Sequence, residues 1–231
     1  MEALTFDKLE YLLPENGDGP LAVLEIDSVI MDPGPRTLRI LQEAARFIPE
    51  MRTVIERIDA VDIGWNLKQV LERYPGLADE TKGRINAFWE QRFFTDQYVL
   101  HDHPYPGAGD FLYWLQRRGV ALVFLTGRDK ANMSAGTLES FRRNGLPCGN
   151  ETRFFFKPIN SFPDRAFRQG VLETIGALGT VTVAVESDPG NANLIRSMFP
   201  GALVLLREWE SWSDPEKPLP DIIRFNQYPI P

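Results

Sequence analysis

Residues 21–32 read Leu21-Ala22-Val23-Leu24-Glu25-Ile26-Asp27-Ser28-Val29-Ile30-Met31-Asp32. Four apolar residues run straight into two carboxylates, Glu25 and Asp27, one residue apart. A short apolar run bounded by polar residues reads as a strand of a parallel sheet, buried on both faces. Open α/β sheets bind their ligands at the carboxyl ends of the strands. Residues i and i+2 of an extended chain point to the same side. Glu25 and Asp27 therefore face one site together if the strand geometry persists that far.

Outward from this strand the pattern changes twice. Before it, residues 1–13 read as a short helix, and Pro14 to Pro20 form a breaker segment rich in Pro, Gly, Asn and Asp. After it, residues 33–103 read as helical throughout. Thr37 is expected to cap a helix through Leu38, Leu41, Ala44, Ala45 and Ile48. A second helix is expected over 62–73. A third is expected from an Asp79 cap, with Ile85, Phe88, Trp89 and Phe93 at spacings of three and four. Trp65, Phe88, Trp89 and Phe93 read as core of this segment. His101-Asp102-His103 reads as a loop without metal, since no Cys or further His completes a ligand set.

From Pro104 onward strands and helices alternate. Helices are expected at 108–118, 130–143, 163–177 and 191–198, and strands at 120–125, 153–156, 181–185 and 202–206. Alternation of this kind predicts an α/β fold, with a parallel sheet covered on both faces. The tail 207–231, with Trp209, Trp212 and five prolines, reads as irregular chain packed on the body.

The chain has 231 residues, 43% of them apolar, with a formal net charge of −7 and a pI near 5.0. That balance argues against a general nucleic-acid binder, which needs a basic footprint. Cys148 is the sole cysteine, so an intrachain disulfide is impossible and a reducing compartment is expected. The N-terminus lacks the basic start and apolar core of a signal peptide. No apolar run reaches the roughly 18–20 residues that span a bilayer. The expectation is a soluble cytoplasmic protein.

Four strand ends carry the chemistry. The first ends in Glu25 and Asp27, the second in Thr126-Gly127-Arg128, the third in Lys157, and the fourth in Glu186 and Asp188. In a parallel sheet all four lie on one edge. Carboxylates with a lysine and a hydroxyl suit a Mg²⁺ ion and a phosphate held together.

In this order the four segments resemble the motifs of the haloacid dehalogenase-like (HAD) hydrolases. Glu25-Ile-Asp27-Ser-Val-Ile-Met-Asp32 stands for the first motif and Val-Phe-Leu-Thr126-Gly127-Arg128 for the second. Lys157-Pro158 stands for the third, and Glu186-Ser187-Asp188-Pro189 for the fourth. Pro104-Tyr-Pro-Gly107, followed by a helix ending at Arg118-Gly119, is the family's approach to the second motif.

The resemblance implies a Rossmann-like, doubly wound parallel sheet with a small helical cap inserted after the first strand. The core would be 1–32 and 104–231, with 1–20 an N-terminal extension and 207–231 a tail, and the cap would be 33–103. It implies catalytic roles for Glu25 (nucleophile position), Asp27 (general acid/base), Thr126 and Lys157. Gly127 and Arg128 would bind phosphate. Glu25, Asp27, Glu186 and Asp188 would hold Mg²⁺. The implied partner is a small phosphorylated molecule, with no nucleic acid and no membrane.

Two positions depart from the pattern. Glu25 replaces the nucleophilic Asp, and Glu186-Ser187 replaces an Asp pair, with Asp188 as the substitute for the second acid. An in-line nucleophile must stand at about 3–3.5 Å, and a misplacement of about 1 Å can cost on the order of 100-fold. The expected activity is a phosphohydrolase weakened by this change. The alternative is a degenerate member that binds a phosphorylated ligand or a protein partner without turnover.

Overall fold

The computed structural model describes residues 4–13, 19–58, 63, 67–74, 76–208 and 216–229. Trp65 and most of the expected start of the 62–73 helix lie outside them, as do Trp209 and Trp212 of the tail. The described strands are β1 (Pro20–Leu24), β2 (Met31–Asp32), β3 (His103–Pro104), β4 (Ala121–Asp129), β5 (Thr152–Lys157), β6 (Thr180–Glu186), β7 (Leu203–Arg207) and β8 (Ile223–Phe225). Six of them form one sheet in the order β5-β4-β1-β6-β7-β8. Every pairing in it is parallel. β1, the strand read first from the sequence, lies near its centre.

Side chains alternate across this sheet as the two-residue period of a strand requires. Ala22, Leu24, Leu122 and Phe124 pack into a core on one face. Leu21, Val23, Val123 and Leu125 pack into a second core on the other. Helices α1 (Phe6–Leu12), α7 (Ala108–Arg117) and α8 (Lys130–Arg143) cover the first face through Leu9, Phe111, Leu112, Leu115 and Phe141. Helices α9 (Asp164–Gly176) and α10 (Pro189–Met198) cover the second through Phe167, Leu172, Ile175, Ala192 and Ile195. The result is a doubly wound Rossmann-like α/β fold.

A third core belongs to the segment between β2 and β3. It joins α2 (Gly34–Phe47), α3 (Arg52–Ile55), α4 (Leu67–Glu72), α5 (Asp79–Phe93) and α6 (Asp96–Val99) around Ile40, Leu41, Ala44, Met51, Ile85, Trp89 and Phe93. The chain leaves the sheet and returns to it along the short antiparallel pair β2–β3, Met31 opposite Pro104 and Asp32 opposite His103.

Three expectations need correction. Thr37 is no cap: α2 begins three residues earlier, with Pro35 in its first turn and the Asp32 carboxylate accepting from the Gly34 N–H at 2.8 Å. An acid and a proline start the helix, which frees Thr37 to go inside, where its Oγ1 accepts from Trp89 Nε1 at 3.1 Å. The tail is not wholly irregular: Ile223–Phe225 adds the edge strand β8 beside β7, and Phe225 and Tyr228 enter the first core. The strand expected at 120–125 runs on to Asp129, so Thr126, Gly127 and Arg128 lie within β4, where the pairing to β5 shifts register.

Candidate functional site

The parallel sheet brings the expected residues to one edge. Glu25 follows β1 directly, with its N–H donating to Val185 O at 3.0 Å. Lys157 and Glu186 are the last residues of β5 and β6. Glu25, Thr126, Arg128, Lys157 and Glu186 are all buried. Past Glu25 the backbone turns sharply. Ile26 O accepts from Ile30 N and Met31 N, each at 2.9 Å, and Ser28 takes the left-handed conformation at φ 60°. That conformation is costly for a residue with a Cβ, and with these bonds it folds residues 26–31 into a tight loop past the end of β1.

What meets these acids is arginine. Arg168 comes from the second turn of α9 and is buried. Its Nη2 pairs with Glu25 Oε2, its Nη1 with Glu186 Oε1 at 2.7 Å, and its Nε with Asp164 Oδ2 at 2.7 Å. The other Glu25 oxygen, Oε1, accepts from the N–H of Ile26 at 2.7 Å. Both oxygens of Glu25 are therefore engaged, and one guanidinium lies between the acids of the first and fourth strand ends. Lys157 Nζ is 4.0 Å from Asp164 Oδ1. One guanidinium facing three acids compensates them incompletely. Burial, with the nearby charges of Glu25 and Asp188, pushes the Glu186 carboxyl above the usual carboxylate range despite Arg168.

Asp27 belongs to a second cluster. Arg128 grips it with Nε at 3.0 Å from Oδ2 and Nη2 at 2.7 Å from Oδ1. Arg36, from the first turn of α2, reaches Asp27 Oδ1 with Nη2 at 2.8 Å. Both arginines also hold Asp102: Arg36 through Nε and Nη2 at 2.7 and 2.8 Å, Arg128 through Nη2 at 2.6 Å. Arg36 Nη1 donates to Phe93 O at 3.1 Å, and Arg128 Nη1 to Thr137 Oγ1 at 3.0 Å. Burial alone would raise the Asp27 carboxyl, but the charges of Arg128 and Arg36 outweigh it and hold it at about 2. Burial raises Asp102 against the same two arginines. The quartet ties the helical segment, through Arg36 and the carbonyl of Phe93, to the sheet edge, through Asp27 and Arg128.

The remaining expected residues serve local structure. Thr126 Oγ1 accepts from the Arg128 N–H at 3.3 Å. Gly127 passes close to Asp164 and Arg168. Asp188 caps α10, accepting from Asn191 N at 2.8 Å, and the Ser187 hydroxyl donates to Asp27 O at 3.4 Å.

The donor set Glu25, Asp27, Glu186 and Asp188 has the hard oxygens that Mg²⁺ requires, yet its arrangement does not fit the ion. Glu25 and Glu186 share Arg168, Asp27 is held by two arginines, and Asp188 caps a helix. Among the described residues no group of three or more His, Cys, Asp or Glu is placed to hold a metal.

Sequence reading missed Arg36, Asp102 and Arg168, three of the most buried charges here. Arg168 follows Asp164 by four residues, the spacing of an ordinary surface pair on a helix. Asp102 sits between two histidines that draw the eye. The signal available was arithmetical: acids gathered at buried strand ends require buried cations.

No protein-family model and no curated protein matches the chain. Solved structures do. A protein from Clostridium difficile, assigned as a phosphatase, superposes with a TM-score of 0.57 at 12% identity, over 83% of this chain and 86% of that one. A HAD-superfamily hydrolase of subfamily IA from Geobacter sulfurreducens gives 0.55 at 16% identity, over 93% and 96%. A haloacid dehalogenase-like hydrolase from Streptococcus pneumoniae gives 0.52 at 10%, over 82% and 84%. At these identities the likeness concerns the fold: the chain has the fold of the haloacid dehalogenase-like hydrolases. No described helix is long and apolar enough to cross a membrane.

Proposed function

We propose that this chain is a catalytically silent protein on a haloacid dehalogenase-like scaffold, one that holds a small phosphorylated ligand without turnover. The observation that carries the reading is Arg168, ion-paired at once to Glu25 and Glu186. Breaking a buried ion pair costs about 3–5 kcal/mol. A state with Glu25 released for attack is then depleted by on the order of 10²–10⁴-fold. The extra methylene of Glu25 adds to this, since the side chain bends back onto its own Ile26 N–H. Lys157, at the end of β5, and Thr126, within β4, are the groups for a phosphate.

A second reading is a Mg²⁺-dependent phosphohydrolase acting on a small phosphorylated metabolite. What favours it is that Asp27, Thr126 and Lys157 keep the residue types of the motifs they resemble. It requires Arg168 to leave the acids.

Turnover of a panel of phosphorylated metabolites, with millimolar Mg²⁺, separates the two. The expected result is no release of phosphate by the native chain or by Glu25→Ala, and none by Glu25→Asp while Arg168 is present. Mg²⁺-dependent hydrolysis by the native chain that disappears in Glu25→Ala would establish the second reading and overturn the first. Binding of Mn²⁺, followed by its paramagnetic broadening of resonances near Glu25, is expected in Arg168→Ala and not in the native chain.

A further inference from the structure

Of the three acids around Arg168, one differs from the others. The side chains of Glu25 and Glu186 are 7% and 2% exposed, and that of Asp164 is 42% exposed. Asp164 is the first residue of α9, and three groups meet at its carboxylate. Arg168 Nε donates to Oδ2 at 2.7 Å. Lys157 Nζ stands 4.0 Å from Oδ1. A Cβ on Gly127 would lie 3.5 Å from the same Oδ1, so the bare backbone of that glycine passes alongside.

Lys157 itself is unsatisfied. Its ammonium makes no hydrogen bond among the described residues, and the Asp164 carboxylate is its one ion-pair partner there. The side chain keeps 10% of its surface in solvent, and Nζ is not one of the sealed, unpaired atoms. Buried donors are nearly always paired, with protein, water or ligand, so this ammonium calls for an acceptor closer than 4.0 Å. A phosphate dianion arriving there meets negative charge already in place, even with Glu186 protonated. Glu25 and Glu186 are enclosed and cannot move aside without breaking buried pairs. Asp164 has solvent to turn into, where its charge is screened.

We propose that Asp164 is the specificity-determining residue of the phosphate site. Its carboxylate holds the anion position among Lys157, Arg168 and Gly127, and a phosphorylated ligand enters by turning it out into solvent. This rests on the reading that Lys157 and Thr126 receive a phosphate. A dianion outcompetes one carboxylate for an ammonium, whereas a small carboxylic acid offers nothing that Asp164 does not already supply. Phosphate monoesters, largely dianionic at neutral pH, are therefore selected against carboxylic acids.

The test is a titration of the ¹⁵N-labelled full chain with inorganic phosphate and, separately, with acetate. The readouts are the amide resonances of Gly127 and Asp164. The native chain is expected to bind phosphate weakly and to show no saturable shift with acetate. Asp164→Asn keeps an oxygen for Arg168 Nε and removes the charge. Its phosphate affinity is expected to rise about tenfold, the order of one screened charge at that distance, and acetate should begin to bind. Lys157→Ala should abolish phosphate binding in either background. The thermal midpoint of Asp164→Asn should stay close to native, as for a partly exposed pair. In the native chain, the ¹³C resonance of the Asp164 carboxyl is expected to move toward its solvent-exposed position as phosphate binds. Phosphate bound through Lys157 with equal affinity in the native chain and Asp164→Asn would overturn the role of Asp164 and leave the phosphate site standing. So would an Asp164 carboxyl resonance that stays fixed while phosphate binds, or acetate binding the native chain as tightly as phosphate. No phosphate binding in either chain would overturn both the role and the site.

Discussion

The two ion clusters at the sheet edge lie within electrostatic reach of one another, and they are built on opposite terms. Around Asp27 two arginines face two aspartates, every guanidinium nitrogen donates, and the charges balance. Around Arg168 one guanidinium faces three acids, with Lys157 touching only the rim. A balanced buried cluster acts as a rivet, and here it joins the helical segment to the sheet. An acid-rich one is short of positive charge, and burial together with that shortfall raises the Glu186 carboxyl above the usual carboxylate range. The difference shows that similar residue types at neighbouring strand ends serve different ends. The first cluster joins two parts of the molecule, and the second ties Glu25 to Glu186 through Arg168.

The largest test of this contrast removes the rivet. Asp102→Ala leaves Arg36 and Arg128 with Asp27 as their one carboxylate, and should cost about 3–5 kcal/mol. For a chain of this size that is a fall in Tm of roughly 10 °C, readable by calorimetry. A loss as small as that of an exposed pair would show that the quartet is not a joint.

Acid should strip the same cluster more gently. Asp27 is held at about 2 in the folded protein, below its ordinary 3.8, so its contribution is complete above the ordinary value. It is lost as the pH falls from about 4 to about 2. With 27% of the side chain exposed, the amount is about 1–2 kcal/mol. Urea midpoints across that range should decline in the native chain and flatten in Asp27→Asn; parallel curves would remove Asp27 from the account.

The smallest effect concerns the acid-rich cluster, and its sign is the reverse. Glu186 has a raised pKa in the folded protein, so the folded state binds the extra proton. Stability is greatest below the ordinary carboxylate range and declines as the pH rises through neutrality. Glu186→Gln should reduce that decline, gaining about 1 kcal/mol at the alkaline end and nothing at acid pH. If the variant falls below the native chain at every pH, the cluster is balanced after all.

The sequence made the sheet legible because each buried strand is an apolar run that halts at a polar residue, as at Leu24-Glu25 and Val185-Glu186. β8 escaped because Ile223-Arg224-Phe225 is three residues long, with a charge in the middle and prolines nearby. The candidate site was half legible. Strand ends announce themselves through topology, so Glu25, Asp27, Thr126, Lys157 and Glu186 could be placed on one edge from their order alone. Arg36 and Arg168 come from helices, where four-residue periodicity tells which way a face points but not which acid it will meet. Thr37 shows the same limit: a hydroxyl near a helix start reads as a cap until Pro35 and Asp32 are seen to start the helix without it.

The place of β1 near the centre of the sheet has a consequence for how the molecule is made. Its two neighbours begin at Ala121 and Thr180, so the first strand of this sheet in the chain is paired on one side well before the other. At about 5–20 residues per second, the wait for β6 is on the order of ten seconds. Both edges of Leu21–Leu24 are open to pairing with another nascent chain until β4 emerges, and the β6 edge alone through the rest of that interval. The helical segment, whose contacts are mostly local, can form in the meantime. Glu25 therefore meets Glu186 and Arg168 only after most of the polypeptide has been synthesised.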